Sequence, residues 1–200
     1  MNIELLSSLI GIAIFGFITS VTPGPNNTYL LTSGMNFGTR KSLPYINGIM
    51  VGLTIIFSSI YLGVGALFTA FPWIQQVLKY LGFAYVLFLA YSIVSSSFVH
   101  KHEEPNRVGF FRATLFQLVN PKVWIVLMSV AAAYIPFTTD PIDAVIAFSV
   151  FLLATYPGAV VWAVFGELLA GILLKPTPRR IFNIVAAVLL VLSMVPVLFL

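Results

Sequence analysis

The stretch Thr22-Pro23-Gly24-Pro25-Asn26-Asn27 interrupts an apolar segment that covers residues 3–37. Its two prolines lack backbone N–H groups and clash with the preceding turn, and the glycine between them adds backbone freedom, so an α-helix cannot pass through it. Because the segment around it is so apolar, we interpret the interruption as a helix broken inside a membrane. There, the freed backbone groups must face protein or a polar cavity.

A second interruption of this kind, Asn120-Pro121-Lys122, divides an apolar segment in the second half of the chain. A single proline often does no more than kink a transmembrane helix, but breaks at corresponding positions of two halves indicate a transporter's binding site. The helix after a break offers N–H groups to a carboxylate, and the helix before it offers carbonyls to an ammonium group. We therefore predict a substrate site formed by Pro23, Gly24, Pro25, Asn26, Asn27, Asn120, Pro121 and Lys122.

The composition is that of a polytopic membrane protein. The 200 residues are 60% hydrophobic and only 8% charged, whereas a soluble domain carries about 25% charged residues. The mean hydropathy is +1.03. Without cysteine, the chain has no disulfide or cysteine metal site, and its net charge of +4 is too small to indicate a nucleic-acid partner. No catalytic, metal-binding or nucleotide-binding signature is present, so we expect no enzyme activity and no cofactor.

Six membrane spans fit the sequence if each needs about 20 apolar residues. The first and fourth are the broken ones, and we predict short turns at residues 38–42, 71–73, 136–141 and 175–180 and a polar loop at residues 95–107 that contains His100 and His102. The predicted spans are residues 3–37, 43–70, 74–94, 110–134, 142–174 and 181–200.

The basic residues give this arrangement an orientation. Eight of the ten lysines and arginines fall in or beside the first, third and fifth loops, which the positive-inside rule assigns to the cytoplasm, with both termini outside. Three spans per half force the halves into opposite orientations. The fold class we predict is therefore an all-α membrane protein of two inverted three-helix repeats. Residues 1–98 and 105–200 would be the repeats of a single integral membrane domain.

Lys122 and Glu167 are the ionisable residues most clearly placed inside the spans, where such groups usually face the bundle interior and find a partner. Lys122 could hold a substrate carboxylate or neutralise Glu167. Glu167 could carry a proton, although an interfacial carboxylate paired with a loop cation fits its position equally well. The small residues of Gly48-x3-Gly52, Ala154-x3-Gly158 and Gly166-x3-Ala170 favour close helix packing, and the first of these faces could instead build a homodimer.

The motifs together resemble the LysE/RhtB family of amino-acid exporters. The first break followed by Gly38-x-Arg40 and Gly48-x3-Gly52 is similar to the opening of that family, and Leu118-Val119-Asn120-Pro121-Lys122 is similar to its second hallmark. The doubled asparagine is most similar to members like the cysteine and O-acetylserine exporter. The resemblance covers nearly the whole chain and implies a protein of the bacterial inner membrane that exports amino acids, driven by the proton gradient.

The function we predict is a secondary transporter that exports a small neutral amino acid or derivative. Its partners would be the substrate, protons and the lipid bilayer. Two alternatives remain open at this point: uptake or a channel for another small solute, and a non-transporting membrane assembly protein. Substitution of Pro23 and Pro121 with alanine distinguishes the last alternative, because a scaffold has no need of paired helix breaks.

Overall fold

The computed structural model describes residues 3–64, 70–95, 107–135, 140–171 and 176–198, and their regular structure is entirely helical. The α-helices are α1 (Ile3–Val21), α2 (Pro25–Phe37), α3 (Thr39–Ser59), α4 (Pro72–Ser95), α5 (Arg107–Val119), α6 (Pro121–Tyr134), α7 (Pro141–Ala170) and α8 (Pro176–Leu198). A π-helical turn, Ile60–Val64, follows α3, and the positive φ of 95° at Gly63 kinks the chain there. The all-α prediction is confirmed for these residues.

Both predicted helix breaks are present at the predicted positions. The chain bends by 62° between α1 and α2 and by 68° between α5 and α6. Each helix after a break begins with a proline, Pro25 or Pro121. Proline suits this first helical position because its missing N–H would have no intrahelical partner there.

The four predicted turns extend too far toward the C-terminus, because the helices that follow them begin earlier than the hydropathy pattern indicates. The predicted loop at residues 38–42 is confined to Gly38, whose φ of 80° turns the chain so sharply that α3 starts at Thr39. Pro72, Pro141 and Pro176 fall in predicted turns, but each is the first residue of a helix. A helix often begins with polar residues or proline, and a count of consecutive apolar residues does not assign these residues to the helix.

By length and composition, two described helices can cross a membrane alone, Thr39–Gly63 and Pro141–Ala170, and each bent pair can form one more span. The predicted six-span inverted repeat therefore stays a prediction. The histidine-containing part of the loop, the turn at residues 136–139 and Lys175 lie outside the described residues.

The two halves interlock around the breaks. The first piece of each broken helix packs along an intact helix of the other half, α1 along α7 and α5 along α3. Helix α2 packs mainly against α7 and also against α3. These elements enclose the main apolar core, whereas α4 and α8 pair beside it with a smaller core of Val86, Ala90, Ala186 and Ala187.

Glycines make the closest helix contacts possible. A Cβ atom at Gly48 would collide with the carbonyl oxygen of Phe110, and one at Gly166 with the carbonyl oxygen of Leu31. A Cβ at Gly158 would collide with the Ser20 hydroxyl. The predicted packing role of these small residues is confirmed, and Gly48-x3-Gly52 is used inside the chain, so a homodimer would need another face.

Candidate functional site

The first break is held in shape by Asn27. This buried side chain donates from Nδ2 to the carbonyl oxygens of Ser20 and Thr22, each at 2.7 Å. The last carbonyls of a helix have no intrahelical partner, and they need one where water is scarce. Asn27 on α2 therefore closes the end of α1, while Gly24 spans the gap in an extended conformation.

The second break is capped by Asn120. Its Oδ1 accepts from the backbone N–H of Lys122 at 3.2 Å, as an N-cap residue does for the helix that follows. Asn120 is 1% exposed, so its amide is fixed within the protein. On the other side of the break, the Trp124 indole donates to the Leu118 carbonyl oxygen at 2.9 Å and so completes the end of α5.

Lys122 joins the two breaks. Its Nζ donates to the carbonyl oxygens of Thr22 at 2.9 Å and Pro23 at 3.3 Å, just beyond the end of α1. Its stem lies against Gly24, where an added Cβ would come within 3.1 Å of Nζ and 3.4 Å of Cδ. A glycine at this position leaves the space that the lysine occupies. The ammonium group thus lies at the negative end of the α1 dipole.

A second link between the breaks is a pair of amides. Asn26 donates to Gln117 Oε1 at 2.8 Å, and Gln117 donates back to Asn26 Oδ1 at 3.2 Å. Gln117 also donates to the Ala113 carbonyl oxygen and is 0% exposed. This residue was not predicted, although a polar side chain three residues before Asn120 in an apolar helix was a signal for it.

The two breaks and helices α3 and α7 enclose one cavity. The empty space between these elements is about 570 Å³, which includes the solvent at its open mouth. Six of the eight predicted substrate-binding residues line it, and Pro23 and Pro121 do not. The lining consists of Thr19, Ser20, Gly24, Pro25, Asn26, Asn27, Ile49, Met50, Leu53, Asn120, Lys122, Val123, Val126, Phe151, Thr155 and Ala159.

Glu167 lies elsewhere and does not line this cavity. It is exposed on α7, and its Oε2 accepts from the backbone N–H of Thr39 at 2.7 Å, at the start of α3. A carboxylate at a helix N-terminus is stabilised by the N–H groups and the dipole. The predicted neutralisation of Lys122 by Glu167 is not observed, because Lys122 donates to carbonyl oxygens and Glu167 accepts from a backbone N–H.

Comparison with known proteins assigns the chain to a family. The family model for LysE type translocators matches residues 17–198. The chain belongs to the LysE family. The family consists of membrane-embedded transporters, not enzymes, and the predicted resemblance is confirmed.

Named relatives extend the match. The chain is 31% identical over 185 residues to the cysteine/O-acetylserine efflux protein of Salmonella typhimurium, and 30% identical over 182 residues to the protein of that name from Escherichia coli. Both alignments cover 88% of this chain and 90% of the relative. No solved structure matches the chain.

Proposed function

We propose that this LysE-family translocator exports a small neutral amino acid or close derivative from the bacterial cytoplasm across the inner membrane, and that the cavity between the two breaks is its substrate site. The observation that carries the proposal is Lys122, which brings a cation into a cavity that also presents two broken helix ends. A zwitterion needs a cation for its carboxylate and carbonyl oxygens for its ammonium group.

The cavity lining favours a neutral substrate side chain. Among the described residues that line it, Lys122 is the only ionisable one, and no carboxylate is present to pair with a cationic side chain. An unpaired charge in a membrane interior costs roughly 2.5–3.5 kcal/mol on insertion scales. The α3 and α7 walls supply Ile49, Leu53, Phe151, Thr155 and Ala159, which suit a short, weakly polar group.

The names of the relatives agree with this size and charge. Cysteine and O-acetylserine are both small amino acids with uncharged side chains, and the relatives named for their efflux are matched along 90% of their length. We infer that the substrate of this chain belongs to the same chemical class.

Alternating access would move one half against the other about the cavity. The exchanged packing of α1 on α7 and α5 on α3 supports an inverted repeat, because a two-fold relation between the halves converts one of these contacts into the other. Proton coupling through Glu167 and external termini remain part of this proposal. Glu167 links α7 to the start of α3, so its protonation would weaken a contact between the halves.

The test is an export assay in cells loaded with dipeptides. Every free amino acid that appears outside is quantified over time, with and without an uncoupler, for the natural chain and for a Pro23→Ala/Pro121→Ala variant. Pro141→Ala is the matched control, because Pro141 begins a helix, as Pro121 does, but lies at neither of the two breaks. We expect release of one small neutral amino acid, lost with the uncoupler and in the double variant but kept in the control.

Two outcomes would contradict the proposal. Absence of any released amino acid, with the protein shown to be inserted, would favour uptake or another solute. Full export by the double variant would show that the breaks do not form the site.

A further inference from the structure

We propose that the Lys122 ammonium group occupies, in the empty site, the position that the substrate's α-ammonium group takes when it binds. Binding would then be an exchange: the substrate ammonium displaces Lys122 from the α1 carbonyls, and the displaced lysine pairs with the substrate carboxylate. The inference rests on the proposed function, since it assigns the atoms within the same cavity. It predicts which chemical groups a ligand must carry.

The geometry of Lys122 is that of a bound ammonium ligand. Its Nζ donates to two carbonyl oxygens, Thr22 at 2.9 Å and Pro23 at 3.3 Å, beyond the last turn of α1. Thr22 also accepts from Asn27, which holds that carbonyl in place. A primary ammonium carries three donors, so the bonds to these two carbonyls leave it capacity for one more partner.

The neighbouring backbone carbonyls are already used by the protein. The Ser20 carbonyl accepts from Asn27, and the Gly24 carbonyl accepts from both the N–H and the hydroxyl of Thr28. When Lys122 moves, the Pro23 carbonyl therefore becomes available, and the Thr22 carbonyl keeps its bond from Asn27 and can accept a second one in place of Nζ. A substrate ammonium that enters this break would compete with Lys122 for them.

Charge decides whether the exchange is favourable. A ligand with an ammonium group but no carboxylate would displace a cation and leave it unpaired, because no carboxylate is found among the described residues that line the cavity. A zwitterion brings the carboxylate with it, so both cations end up paired. The lysine thus converts a site for any amine into a site for an α-amino acid.

The exchange also breaks a direct hydrogen-bonded contact between the two halves. Lys122 belongs to the first turn of α6, and its partners lie at the end of α1, so its side chain connects the second break to the first. When the lysine turns to the substrate carboxylate, the direct link is replaced by one through the substrate. Movement of the halves would then respond to occupancy.

The test measures binding of O-acetyl-L-serine and of its methyl ester, which keeps the ammonium group and lacks the carboxylate. Purified protein in lipid nanodiscs is compared with a Lys122→Met variant, whose unbranched side chain reaches as far as Cε and carries no charge. For the natural chain, we expect the ester to bind on the order of 100-fold more weakly than the acid. This factor corresponds to about 2.8 kcal/mol at about 1.4 kcal/mol per tenfold, the size of the penalty for an unpaired charge in a membrane.

In Lys122→Met the Pro23 carbonyl loses its bond from Nζ and the Thr22 carbonyl keeps only its bond from Asn27. The ester should therefore bind more tightly than it does to the natural chain, while the acid binds more weakly. If Lys122 served only as a carboxylate ligand, its replacement would weaken binding of the acid without strengthening binding of the ester. That result would overturn the exchange. Equal binding of acid and ester by the natural chain would overturn it without any variant, which covers the case of a variant that does not fold. If the natural chain binds neither compound, the test is repeated with L-cysteine and L-alanine and their methyl esters; binding of none of these would contradict the proposed function itself.

Discussion

Replacement of Asn27 by leucine tests whether a side chain, and not the prolines alone, holds the first break. Leucine is close to asparagine in size but has no donor, so the carbonyl oxygens of Ser20 and Thr22 lose their bonds from Nδ2. The Thr22 carbonyl keeps Lys122, and the Ser20 carbonyl is the one most affected. The end of α1 should therefore loosen.

The expected size follows from these two bonds. Side-chain hydrogen bonds in membrane proteins contribute about 0.6 kcal/mol each on average, and a buried carbonyl left unpaired costs about 1–3 kcal/mol. The lost Thr22 bond and the unpaired Ser20 carbonyl together give a loss of at least about 2 kcal/mol in the free energy of unfolding. Asn36→Leu is the control, because Asn36 lies on the same helix but is exposed and donates to the Thr32 carbonyl one turn before it.

The free energy of unfolding can be measured by steric trapping in bicelles, with export measured in parallel. Asn27→Leu should lose at least about 2 kcal/mol and most of its export, and Asn36→Leu should stay within about 0.5 kcal/mol of the natural chain, as surface substitutions usually do. Equal stability of the two variants would show that the Asn27 amide does not hold the break.

Three further predictions concern packing, the amide pair and coupling. Gly166→Ala should prevent accumulation of folded protein in membranes, because its Cβ would collide with the α2 backbone, whereas Gly171→Ala has nothing within 4 Å and should accumulate normally, as judged by detergent size-exclusion chromatography. A double-mutant cycle of Asn26→Leu and Gln117→Leu should give a coupling energy of about 0.6–1.7 kcal/mol, and a value near zero would mean that the pair contributes no link between the breaks. Glu167→Gln keeps an acceptor for the start of α3 but cannot release a proton, so export should lose its dependence on the proton gradient in proteoliposomes; full gradient-driven export would remove that role.

The sequence was sufficient to predict the two breaks, because the rules that prevent a helix from continuing through proline are local. Four polar residues beside the breaks were also predictable, because a polar side chain in an apolar segment needs a hydrogen-bond partner or serves a function. They are Asn26, Asn27, Asn120 and Lys122. Their individual roles were not. Whether an asparagine closes the preceding helix, as Asn27 does, or pairs across the breaks, as Asn26 does, depends on a tertiary neighbour.

The same limit explains the other differences. Gln117 pairs with a residue far away in the chain, and Glu167 contacts the Thr39 backbone of the other half, so neither partner could be found from local spacing. The early starts of α3 and α8 were missed because hydropathy records apolar length, while a helix begins where capping and dihedral angles allow it.

The exchanged packing of α1 and α7 has a consequence for biogenesis. During synthesis, α1 enters the membrane long before its main partner, since α7 begins only at Pro141. Until then the α1 face around Gly16, which finally packs against Phe151 and Thr155, has only lipid or the insertion machinery to cover it. The interval is shorter for α3, because its partner α5 begins at Arg107 and is therefore synthesised sooner after it. The first half can therefore complete its packing only after the second half is synthesised. If translation stalls before α7, the chain that results lacks the main packing partner of its first helix.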